Sequence, residues 1–178
     1  MPFLAVRSAT ASYEAYMSAV GRALAVCQHF EASAHHVMFT WEISHIDNSE
    51  LGPQEFRSIA LALMSVTLGG ATRKLAHAGD LGATYADVLE RGRTARNWFA
   101  HDSAPIIDEE GNLPDHFASR LTLFRVHIRY LCQADAVLAG ASYGIQEREA
   151  AHLEALDSYA QAVEAWVLEP LRPWLESA

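Results

Sequence analysis

The chain reads as an all-α protein, an antiparallel helical bundle of about five helices. Three observations carry that reading. Apolar residues recur at intervals of three and four almost throughout. Strand-like alternation is nearly absent, and turn residues gather in short clusters between the periodic runs. At 178 residues the chain suits a single domain, 1–178, large enough to bury a core without staples. Helices joined by short connections pack antiparallel.

The first helix spans roughly 12–44. Tyr13, Tyr16 or Met17, Val20, Leu24, Cys27, Phe30, Ala34, Val37 and Trp41 line one stripe, Ser12 serves as an N-cap, and the turn-rich HIDNSELG ends it. Pro53 opens the second at the position where a helix accepts proline, followed by Phe56, Ile59, Leu63 and Val66. Gly69-Gly70 should weaken or kink it before it closes near Gly79. Thr84 caps a third helix from about Tyr85 to His101. SAPIIDEEGNLPD is the one long loop, with DEEGN as a tight turn. Phe117, Leu121, Phe124, Ile128 and Leu131 mark a fourth helix ending near Gly140. A fifth starts around Ile145 or Gln146 and carries Leu153, Leu156, Tyr159, Val163 and Trp166, until Pro170 and Pro173 bend or end it.

Half of the chain is hydrophobic, 51%, yet no uncharged apolar run reaches the ~18 residues of a membrane span. The start, MPFLAVRSATASYEAYMSAV, lacks a basic region followed by an apolar one, so no signal peptide is expected. Cys27 and Cys132 have no CxxC spacing and read as free buried thiols of a reducing compartment. These features point to a cytoplasmic protein without a membrane partner.

A net charge of −9 counts against indiscriminate binding to polyanions. The charge is uneven, however. From Gly70 to His101 five bases face three acids, a local +2, whereas from Glu147 onward seven acids face Arg148 and Arg172, a local −5. The mildly basic tract contains RTARNWFAHDSAP, residues 93–105. On a helix Arg93, Asn97 and His101 advance by about 40° each and form one polar stripe, while Arg96 lies roughly 140° from His101 and has a long stem with which to reach it. Trp98, Ala95 and Val88 or Phe99 pack the opposite side.

Such a stripe has a chemical use. Imidazole exchanges protons near neutrality, guanidinium grips phosphate oxygens with paired donors, and Asn orients either. Together they suit cleavage of RNA by its own 2′-hydroxyl, which requires no metal or other cofactor. Spacing alone leaves the plainer alternative open, an Arg and a His solvated at a helix C-terminus.

Arg96-Asn97-Trp98-Phe99-Ala100-His101 resembles the R-x4-H motif, in its RN-x-x-A-H form, of HEPN domains (higher eukaryotes and prokaryotes nucleotide-binding). The resemblance implies an all-α bundle with the motif on a late helix and a metal-independent endoribonuclease in a toxin–antitoxin or phage-defence setting. It further implies a homodimer whose two motifs line one cleft, an RNA substrate, and an antitoxin protein as partner. By the resemblance Arg96 and His101 would be catalytic and Asn97 the supporting polar residue; with Arg93 of the same polar stripe, Asn97 is expected to bind substrate. Some toxin members carry Tyr two residues after the His, where this chain has Ser103. Other HEPN domains have lost activity and serve as dimeric modules for a nucleotide or a partner protein, which is the alternative function.

Two E-x-x-H spacings, Glu42–His45 and Glu149–His152, fit the grammar of di-metal carboxylate bundles. With nine His and many Glu in the chain, about one such spacing arises by chance, so no metal site is assigned. His35-His36 read as a partly exposed helix face. Arg120, Arg125, Arg129 and His127 give the fourth helix a basic side suited to pairing with the acidic fifth. Arg73, Lys74 and His77 either border a phosphate site or are solvated. No P-loop, GxGxxG or Ser/His/Asp pattern is present.

Overall fold

The structure, a computed structural model, describes residues 11–44, 52–76, 79–104, 117–147 and 149–176. Every regular element among them is helical: α1 (Ala11–Ser44), α2 (Pro53–Met64), α3 (Leu68–Ala76), α4 (Gly79–His101), α5 (Phe117–Glu147) and α6 (Leu153–Leu168), closed by a 3₁₀ turn (Glu169–Leu171) and one last helical turn, α7 (Arg172–Leu175). The expected all-α bundle is therefore what the chain forms. None of the described helices is long and apolar enough to cross a membrane. The DEEGN turn lies outside the described residues.

α5 is the central helix, packed against α1, α4 and α6, while α3 lies across α4 and α1. The core is built from Tyr16, Phe30, Phe99, Phe124, Ile128 and Leu131, all essentially inaccessible to water. Small residues do as much as large ones. Ala19, Ala23 and Ala34 of α1 and Ala134 of α5 are fully buried, so the helix axes come close together. Leu24, expected on the buried stripe, is exposed instead. Both cysteines are free and buried, and burial pushes each thiol up to about 12.

The helix boundaries correct the periodicity in three places. The second expected helix is two, α2 and α3, separated at Ser65–Thr67, ahead of Gly69-Gly70. His35 Nε2 donates to the Val66 carbonyl at 2.8 Å, and the Thr67 hydroxyl accepts the Gly70 amide at 3.2 Å, so the break is stabilised by side chains. α4 starts at Gly79, which leaves Thr84 inside the helix. Its packing on α3 and α5 outweighs the ~1 kcal/mol that an internal glycine costs. α5 continues through Gly140 to Glu147, and α6 starts only at Leu153. A Cβ at Gly140 would lie 2.7 Å from Leu156 Cδ1, so that glycine admits α6 rather than ending α5.

Polar contacts fix α6 and the end of the chain against α1 and α5. Arg22 donates to the Trp166 carbonyl at 2.5 Å and to Glu169 at 2.6 Å, with its guanidinium over the Trp166 ring. The expected pairing of the basic side of α5 with acidic α6 is made by Arg129 and Glu164, 3.4 Å apart. Pro170 and Pro173 bend the chain into the 3₁₀ turn and α7, which puts Leu171 into the core.

Candidate functional site

The RNWFAH segment forms the last turn and a half of α4. Its apolar residues anchor it. Ala95 and Phe99 are buried, and the Phe99 ring meets Phe124 edge-on at 5.0 Å. Trp98 is half-buried, stacked on the His127 imidazole of α5 with centroids 4.7 Å apart. Burial holds His127 below the ordinary histidine range, and its Nδ1 has no hydrogen-bond partner among the described residues.

The chain leaving α4 is held from three sides. The Ser103 hydroxyl donates back to the Phe99 carbonyl at 2.6 Å, and the Ser103 carbonyl accepts from the buried Tyr16 hydroxyl of α1 at 2.8 Å. Arg120, at the start of α5, donates to the carbonyls of Asp102 and Ala104. These bonds satisfy carbonyls that a helix C-terminus leaves without intrahelical donors. Ser103 is thus a buried tether of the motif helix, and burial raises the Tyr16 phenol above its usual range.

On this base stand the four residues singled out by the sequence. His101 closes α4 and is exposed. Arg96 turns toward α1, where its Nη2 pairs with Glu31 at 2.6 Å, both side chains about one-third exposed or less. Its Nη1 donates to Asn97 Oδ1 at 3.4 Å. Arg93 donates to Glu90 through Nε at 2.8 Å and Nη2 at 2.5 Å. The structure therefore brings Arg96 to Asn97 and to an acid 65 residues earlier, and Arg93 to Glu90. It directs Arg96 to Glu31 rather than round the helix to His101. A guanidinium carries five N–H donors, so the Glu31 and Asn97 bonds leave others for an anion.

Two further features were not read from the sequence. Asp135 on α5, 1% exposed, accepts from His29 Nδ1 at 3.0 Å and from the Tyr159 hydroxyl at 2.6 Å, which ties α1, α5 and α6 to one buried carboxylate. Burial, with the hydrogen bond to and the charge of Asp135, pushes the Tyr159 phenol up. An acid inside the apolar run LCQADAVLAG was the available signal. The second feature is an apolar groove of about 1020 Å³ between α4, α5 and α6, floored by Val137, Gly140 and Ala141, with Glu149 and Asp157 among its lining.

The remaining sequence candidates are dispersed. Glu42 pairs with Lys74 at 3.2 Å, while Glu149 and His152 are exposed and His45 lies outside the described residues. No three His, Cys, Asp or Glu side chains among the described residues come together as metal ligands. His36 meets Gln146 at 3.3 Å. Arg73 lines a cleft between α3 and α4, and His77 lies outside the described residues. No family model matches the chain, and neither the curated proteins nor the solved structures give a match.

Proposed function

We propose that the chain is a metal-independent endoribonuclease of HEPN type, working in the cytoplasm as a homodimer in a toxin or phage-defence setting. The observation that carries this reading is His101 exposed at the end of a helix pinned by Tyr16 and Arg120, with Arg96 and Asn97 in contact one turn behind it. The dimer draws support from Leu123 and Val126, which stand exposed on α5, the helix that packs Trp98 through His127. The partners are RNA, a second copy of the chain and an antitoxin protein.

In the reaction, one His101 takes the proton of the 2′-hydroxyl and that oxygen attacks phosphorus. The bond to the 5′-oxygen breaks, and the second His101, protonated, supplies the proton to the departing oxygen. Arg96 holds the non-bridging oxygens as charge builds on them. Products are a 2′,3′-cyclic phosphate and a 5′-hydroxyl. Acid–base help of this kind is worth roughly 10²–10⁴-fold, so His101→Ala should lose that much cleavage in EDTA while keeping its helical spectrum. Arg96→Lys should fail for want of paired donors, and the rate should fall on both sides of a pH optimum. Undiminished cleavage by folded His101→Ala, or cutting of a strand without the 2′-hydroxyl, would rule the mechanism out.

The Arg96–Glu31 pair favours a second reading, a catalytically silent dimeric module that binds a nucleotide or partner protein. There Arg96 joins α4 to α1 and no RNA is cut. Glu31→Gln separates the two: it should leave or raise cleavage if Arg96 serves phosphate, and affect only stability otherwise.

A further inference from the structure

The cleft between α3 and α4 has a volume of about 450 Å³, within the range of small-ligand sites, and is lined by Gly69, Thr72, Arg73, Leu89, Glu90 and Arg93 among others. Two guanidiniums share it with one carboxylate among the described residues. The hydrogen bond from Arg93, with the charges of Arg93 and Arg73, holds the Glu90 carboxyl below the usual carboxylate range. Glu90 therefore stays ionised and holds Arg93 as an internal anion, within the field of Arg73. Gly69 presents bare backbone on the opposite wall, where a Cβ would sit 3.7 Å from Arg93 Cδ. The Thr72 hydroxyl donates to the Leu68 carbonyl at 3.0 Å and is not counted as a ligand.

We propose that this cleft is a phosphate subsite in which Arg73 and Arg93 grip one phosphate of a nucleic-acid strand. Arg93 shares its stripe of α4 with Asn97 and His101. Eight residues of helix put the cleft about 12 Å from the proposed point of cutting, within the reach of one strand. The proposal rests on the reading of α4 as the helix that faces nucleic acid, and it does not need that helix to cut. A backbone phosphate carries one charge on two free oxygens, as the Glu90 carboxylate does, and competes with it for the forked donors, helped by the charge of the neighbouring phosphates of the strand.

Binding of a labelled eight-nucleotide strand of deoxyribose sugar, which the 2′-hydroxyl mechanism cannot cleave, tests this by fluorescence anisotropy on the intact chain. Arg73→Gln should weaken binding roughly tenfold and lower the salt slope by about one. Glu90→Gln should tighten it, and by more than the control Asp87→Asn, whose carboxylate pairs with Arg91 elsewhere on α4. An ion cluster with a purely structural role would lose stability in Glu90→Gln and gain no affinity. Inorganic pyrophosphate distinguishes the sources of the phosphate: competition at micromolar concentration means that free phosphate compounds use the subsite, and none at millimolar means that the strand does. Unchanged affinity and salt slope in Arg73→Gln would overturn the subsite. RNA cleavage with an unaltered KM in that variant would overturn it too, leaving the ribonuclease reading intact. Strand binding through Arg73 without any cleavage would do the reverse.

Discussion

The C-terminal end of α4 and the α5–α6 hairpin are packed in opposite ways. At the first, Tyr16, Phe99 and Phe124 meet edge to face at 5.0–5.5 Å, and Ser103 and Arg120 hold the backbone beyond them. At the second, alanines and glycines face an open groove, and Leu153 stands 71% exposed at the start of α6. Chemistry that needs atoms fixed to within an ångström belongs where the backbone is determined several times over. A face of small side chains around open space adjusts its shape more readily. The exposed His101 thus sits at the rigid end, and the large cavity at the other.

Truncation is the sharpest way to break that contrast. Phe99→Ala empties a filled site and should cost about 3–5 kcal/mol. Leu156→Ala, at the groove, removes a half-buried side chain and should cost on the order of 1 kcal/mol. Urea denaturation of both gives the comparison, and equal costs would show that the two ends are packed alike.

The buried carboxylate allows a second comparison, between its two sides. His29→Ala leaves Asp135 charged in the core with Tyr159 alone, and should cost about 2–3 kcal/mol. Asp135→Asn removes the charge itself and leaves His29, whose side chain is 61% exposed, to water, so its cost should be nearer 1 kcal/mol. The reverse order would mean that the cluster is mainly an attraction rather than a cost relieved.

The smallest effect sharpens the comparison through pH. Because burial depresses His127, the unfolded chain takes up its proton near pH ~6.5 while the folded chain takes it up only lower. Over that window the unfolded state binds more protons, so stability falls as pH drops below ~6.5. His127→Gln should remove that part of the slope in denaturation midpoints measured from pH 7 to 5. An unchanged slope would place the histidine in water.

What the sequence revealed and what it hid divide along a physical line. Ala11–Ser44 came out almost as its periodicity predicts, because no glycine or proline interrupts an apolar repeat between Ala23 and Trp41 and local preference agrees with packing. Gly140 misled because a glycine's local cost says nothing of the neighbour it admits, here Leu156. The location of RNWFAH on the last turns of α4 was legible. The Glu31 partner of Arg96 was not, since it depends on how α1 crosses α4. Ser103 looked like a departure from a motif, and its tether to Tyr16 spans 87 residues of sequence. Asp135 was passed over, although it is an acid among apolar residues, and only the fold supplies its partners His29 and Tyr159.

Gly92 gives the bundle a fulcrum. A Cβ there would run into the Ala134 methyl and lie 3.2 Å from Phe30, so at this crossing α4 meets α5 and α1 with nothing to spare. His101 lies nine residues further along, at the end of a lever about 13 Å long. A tilt of roughly 10° at Gly92, the kind of adjustment one added methyl would force, swings the imidazole by about 2 Å. A position with no side chain thus helps to aim the motif, beside the Tyr16 and Arg120 contacts at its far end, and Gly92→Ala should detune the site from a distance while every residue of the motif is still in place.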